Sequence, residues 1–188
     1  DSVGYTLITG TGVGGFFGNG PFVNETMTPE AVGLSISGID FTLLLLNHLG
    51  TDYTAFTTSG GSASLVGIPG RAFNAWSVDV QLNQASNGSA VLDFNDGGAV
   101  HGIAVTPSVG PAIDFEGENG SLLDVVGNVA IDLAGAVVAK GGFELAVGDV
   151  NSAALPSKAG QAADALTLTL TDVGVFVGVG GSLSDLQN

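Results

Sequence analysis

Ala165-Leu166-Thr167-Leu168-Thr169-Leu170-Thr171 alternates leucine with threonine without a break. In an extended chain successive side chains point to opposite faces, so every leucine here shares one face and every threonine the other. A helix needs apolar residues at i, i+3, i+4 and i+7 and would scatter these leucines around its axis. The stretch therefore reads as a strand, with leucine turned inward and threonine outward. Just before it, Gln161-Ala162-Ala163-Asp164 suits a short turn or a helical cap.

Reading onward, Leu168 to Gly180 lines up with Ile8 to Gly20 at an offset of 160 residues (169 − 9). Thr9/Thr169, Thr11/Thr171, Val13/Val173, Gly14/Gly174, Phe16/Phe176, Gly18/Gly178 and Gly20/Gly180 are identical. Residues 5–20 are thus similar to 165–180. A repeat almost as long as the chain points to one unit of an array, whose useful surface is made where neighbours stack.

The period-2 pattern recurs in Leu34-Ser35-Ile36-Ser37, in Trp76 to Asn83, in Val129 to Leu133 and in Gly142 to Val147. Leu43 to Leu46 could be helical by propensity, but a short apolar run between turn formers equally suits a strand buried on both faces, and the strand is the preferred reading. Turn signals separate these segments: Asn47-His48-Leu49-Gly50, Pro69-Gly70, Asn87-Gly88, Asn95-Asp96-Gly97-Gly98, Glu118-Asn119-Gly120 and Gly141-Gly142. Thr106 to Pro111 carries two prolines and predicts an irregular excursion. Segments 34–41, 56–63 and 168–175 share a weaker sub-period, a Thr/Ser-studded strand, a small or acidic break and a second strand. Coils of this kind predict a solenoid, hairpins a meander sheet or sandwich. The expectation is an all-β, elongated, Gly-rich fold, β-solenoid-like or a stacked β-sheet module, with a β-sandwich as the alternative. One unit spans 1–188, with no two-domain boundary.

The 188 residues hold 18 acidic and 3 basic side chains, a net charge of −15. So little positive charge disfavours phosphate backbones and anionic membranes, so neither nucleic acid nor a membrane surface is an expected partner. No apolar run approaches the roughly 20 residues of a spanning helix, and no membrane insertion is expected. Cysteine is absent, which excludes disulfides and thiol chemistry. Strong self-repulsion screened by salt or calcium suits an extracellular setting.

Ser62 to Gly70, Val126 to Gly135, Gly142 to Leu145 and Val175 to Gly178 are similar to phrases in the tandem repeats of giant bacterial surface or secreted proteins, including those with an LEPR-XLL leader. The resemblance covers most of the chain as loosely ordered phrases. It implies an extracellular or cell-surface, adhesin-like or fibre-like role and brings no catalytic residues. The chain departs from the family in carrying only about one period.

The acidic turns Asp93 to Gly98 and Asp114 to Gly120 offer carboxylates on Gly-bent loops, the donor type calcium takes. Asp93, Asp96, Asp114, Glu116 and Glu118 are the candidate ligands, although neither turn fits an EF-hand or a calcium-binding nonapeptide repeat. Solvated turn acids are the plainer reading, and no other cofactor is expected. His48 and His101 are the histidines and no Gly-x-Ser-x-Gly elbow accompanies them, and no spacing pairs Asp79, Asp93, Asp114, Glu116 or Asp132 as glycosidase carboxylates, so no enzyme is expected. Tyr5, Tyr53 and Trp76 are more simply packing residues than a sugar platform.

What remains is a structural module of an extracellular filament or surface adhesin, partnered by copies of itself through strand pairing or stacking. Thr9, Thr11, Val13 and Phe16 at one end, and Leu166, Leu168, Leu170, Val173 and Phe176 at the other, are the expected assembly residues. A calcium- or carbohydrate-binding β-module of a larger adhesin is the alternative.

Overall fold

The alternating segments are strands, and each runs on past the pattern that marks it. The computed structural model describes residues 4–20, 22–23, 26–27, 30–88, 90–94, 107–115, 117, 120–151 and 162–183. In chain order the strands are β1 (Tyr5–Asn19), β2 (Phe22–Val23), β3 (Thr26–Met27), β4 (Val32–His48), β5 (Thr51–Val66), β6 (Arg71–Ala85), β7 (Leu122–Leu133), β8 (Val137–Asn151) and β9 (Ala162–Val177). The fold is all-β. β2 and β3 pair only with each other. The other seven form a single open antiparallel sheet in the order β1-β4-β5-β6-β7-β8-β9, so β1 and β9 are its two edges. A strand of 15 residues, such as β1, spans about 50 Å at about 3.3 Å per residue.

Such long strands hold together through bulges. Gly12, Gly38, Gly60, Gly61, Ser77 and Asp172 all have left-handed φ inside their strands. The pairing register jumps at this level, between Gly10 and Val13, Trp76 and Asp79, and Lys140 and Gly142. The breaks of the sub-period are therefore bulges within one strand rather than gaps between two, because a left-handed residue absorbs an extra position and the ladder resumes beyond it.

Connections follow elementary turn chemistry. Leu49 and Gly50 (φ 52° and 81°) form a two-residue loop between β4 and β5, with the positive φ at both positions that a type I′ turn requires. Ala134 and Gly135 turn β7 into β8, and Asp132 Oδ1 accepts the Gly135 N–H at 2.7 Å. Gly141-Gly142, expected as a turn, lies inside β8, where a Cβ on Gly141 would come within 2.8 Å of Val173. Ala162 to Asp164, expected as a turn or cap, are the first residues of β9 and pair with Asn151 to Asp149.

The core lies on one face at one end of the sheet. Leu7, Leu44, Ala55, Asn83 and Leu122 stand opposite one another in a row across five strands. The irregular segments 90–94 and 107–115 pack over this row, placing Leu92, Ile113 and Phe115 against Leu44, Leu46 and Ala55. Each such side chain taken fully out of water contributes about 2 kcal/mol. Under this cover Asn83 Nδ2 donates to the Leu92 carbonyl at 2.6 Å and Thr42 Oγ1 to the Pro111 carbonyl at 2.7 Å, while Asn83 Oδ1 is buried without a hydrogen-bond partner. The excursion expected around the two prolines is this cover, whose described part begins again at Pro107.

Candidate assembly interface

The two segments matched in sequence are the two edges of the sheet. β1 carries Thr9, Thr11, Val13 and Phe16, and β9 carries Leu166, Leu168, Leu170, Val173 and Phe176. They stand at opposite sides, six strand spacings apart. With every neighbour antiparallel, an odd number of strands makes the two edges run in the same direction.

Matched residues also point to matching faces. Thr9 shares a face with Leu7 and the core row, and Thr169 lies on that same face through its pairing with Glu144, Val126 and Asp79. Gly12 and its counterpart Asp172 both adopt left-handed backbone, at φ 61° and 50°. Phe16 and Phe176 are both half-buried, and each lays its ring over the glycine two residues on, Gly18 and Gly178, leaving no room there for a Cβ. The repeat is thus a likeness of conformation as well as of letters.

Across the face opposite the core runs an apolar row, Ile8, Leu43, Phe56, Leu82, Leu123, Val147 and Leu166, one residue from each strand. At the bulges this face opens into an apolar groove of about 470 Å³, lined in part by Val13, Ile36, Ile39, Phe41, Phe56 and Val78. The Phe41 and Phe56 ring centres lie 6.2 Å apart in it. The leucines of β9 do face one way, as expected, but they are not inward. Leu166, Leu168 and Leu170 are 68%, 60% and 59% exposed, because β9 is an edge and among the described residues has a neighbour strand on one side only.

Carboxylates fix the bulges. Asp40 Oδ1 accepts the Gly12 N–H at 2.7 Å and Asp79 Oδ1 the Gly60 N–H at 2.8 Å, each reaching across to the neighbouring strand. Thr58 Oγ1 accepts the Val80 N–H at 2.8 Å where the β5–β6 ladder is interrupted. Sequence reasoning did not single out Asp40, and it read Asp79 and Asp132 as polar strand positions and weighed them as catalytic acids, not as backbone acceptors. The signal that finds the bulge acids is a shared spacing, Gly38-Ile39-Asp40 and Ser77-Val78-Asp79, a left-handed residue two positions before the acid.

Of the candidate calcium ligands, Asp96, Glu116 and Glu118 lie outside the described residues, as does His101. Asp93 is half-buried and Asp114 exposed. Their segments run side by side: the Phe94 N–H donates to the Phe115 carbonyl at 2.9 Å, the two rings meet edge to face at 6.1 Å, and Gly117 packs against Asp93. Among the described residues no three carboxylate or histidine groups converge as a metal site. Tyr53 packs on the core cluster, while Trp76 lines a small cleft with Asn128, Lys140 and Thr171. No helix of the described residues is long and apolar enough to cross a membrane.

A scan of protein-family models, a search of curated proteins and a search of solved structures each return no match for this chain.

Proposed function

We propose that this chain is a structural module that builds an extended β-sheet by joining copies of itself edge to edge, as part of an extracellular filament or surface adhesin. The observation that carries the reading is the open sheet, whose two edge strands, 15 and 16 residues long, share sequence, direction and backbone conformation. An unpaired edge presents a row of N–H and C=O groups that template another strand. Proteins that stay single blunt such edges with charge or proline. Neither described edge strand contains proline or a basic residue; the charges of β9 are Asp164 and Asp172, and between them it exposes Leu166, Leu168 and Leu170.

The similarity of its phrases to tandem repeats of giant surface proteins supports the same reading, and the acidic balance suits a saline, extracellular medium. Growth by edge addition makes the assembly elongated, a stacked-sheet array rather than a closed sandwich. No catalytic role enters, and the acidic turns at Asp93 and Asp114 enter only as places where calcium would relieve repulsion between copies.

Sedimentation velocity of the purified chain over a range of concentrations, at moderate salt with and without millimolar calcium, tests this. Growth of species beyond the monomer is the expected result, and greater growth with calcium assigns the acidic turns that part. A single monomeric boundary under every condition contradicts the proposal.

A further inference from the structure

The five glycines of β1, together with Gly20 just past its end, divide into two kinds. A Cβ at Gly14 would lie 2.9 Å from the Ile36 carbonyl oxygen, and at Gly18 and Gly20 it would strike the backbone of Val32, Gly33 and Ala31. The β4 edge and the residue leading into it therefore leave no space for a side chain at those three positions. The other three are free of that constraint. Nothing lies within 4 Å of a Cβ at Gly12, only the Phe17 ring lies near one at Gly15, and at Gly10 the obstacles are the side chains of Phe41 and Val13.

The matched stretch near β9 divides the same way. Gly174, Gly178 and Gly180 keep glycine where β4 demands it, and Leu170, Asp172 and Val175 replace it where β4 leaves room or presents only a movable side chain. Two of these glycines also have a local reason, since the Phe176 ring covers Gly178 and Gly180 has a φ of 81°, so the fit to β4 is an addition to those reasons and is carried furthest by the replaced positions. The matched stretch thus carries no side chain where the β4 edge, which β9 does not touch in its own sheet, would refuse one.

We infer that β9 docks on the β4 edge of a second copy of this chain, in the place that copy's β1 holds, with Leu168 opposite Leu43. This rests on the proposal that copies join edge to edge and specifies how. The register follows from Ile8, which pairs with Leu43. The exchange has a driving force in the two sequences. β1 spends five of its positions on glycine, which weakens a strand, whereas β9 has only Gly174. β9 also sets Leu166 and Leu170 where β1 has Thr6 and Gly10, beside Leu45 and Phe41. Leu170 fits once the Phe41 ring swings into the groove it already lines.

The absence of cysteine makes a disulfide report unambiguous. Full-length chains bearing Leu168→Cys are mixed with full-length chains bearing Leu43→Cys, association is followed by light scattering, and the mixture is oxidised. The expected product is a band at twice the 18.5 kDa of one chain, lost when Ser35→Cys replaces Leu43→Cys. Ser35 pairs with Phe16, eight residues along the strand from Ile8, and so stands out of reach of Leu168. Copies that associate but cross-link no better at Leu43 than at Ser35 overturn the exchange and leave edge-to-edge assembly standing. Copies that scatter only as monomers overturn both.

Discussion

At the scale of single residues, this acidic chain uses its carboxylates as backbone acceptors. Asp40, Asp79 and Asp132 each take an N–H that bulge or turn geometry has removed from the ladder. The bonds at Asp40 and Asp79 are exposed, so each contributes the modest net gain of a hydrogen bond made in water, which favours the bulged register. Asp79 is exposed, which limits its contribution. Asp79→Ala is expected to lower stability by about 0.5–1 kcal/mol, read as a shift of the urea midpoint, with Asp79→Asn recovering most of it. An unchanged midpoint in Asp79→Ala would remove the acid from the account. The partners of Asp40 and Asp79 were not legible in the sequence, because each is chosen by the register of a neighbouring strand, whereas Asp132 reaches only three residues along its own turn.

At the scale of elements, alternation marked where strands lie and understated how long they are. Leu34 to Ser37 and Phe41 to Leu46 look like separate strands, since Gly38-Ile39-Asp40 interrupts the period. They are one strand, because a left-handed glycine resets the alternation without ending the ladder. The turn at Ala134 was hidden for the converse reason: alanine gives no hint of positive φ, while Gly141-Gly142 suggests a turn and serves close strand approach. The Leu/Thr strand was legible in full, except that its leucines face an uncovered edge. Charge at that edge tests its role. Leu168→Lys places a cation at a position already 60% exposed, so the monomer is expected to keep its circular dichroism and urea midpoint while association is lost. Association undiminished by the lysine would show that β9 is not the contact.

At the scale of the molecule, the end-to-end match in sequence becomes a match between the two edges of an open sheet. That relation was visible as a 160-residue offset, but its meaning needed the topology. Only the order β1-β4-β5-β6-β7-β8-β9 places the two copies of the motif on opposite sides and running in the same direction. A sheet closed into a barrel would have consumed both. The net charge of −15 opposes joining at low salt, and screening within about 10 Å at 0.1 M salt relieves it.

Electron cryomicroscopy of the chain assembled at moderate salt measures the consequence directly. Strands about 4.8 Å apart and crossing the long axis are expected. Strand exchange leaves six strands per copy, β4 to β9, and hence an axial repeat of about 29 Å; edge addition with β1 retained gives seven strands and about 34 Å. Ribbons about 50 Å wide with the shorter repeat are the predicted result, and monodisperse single particles at every salt concentration would contradict the account.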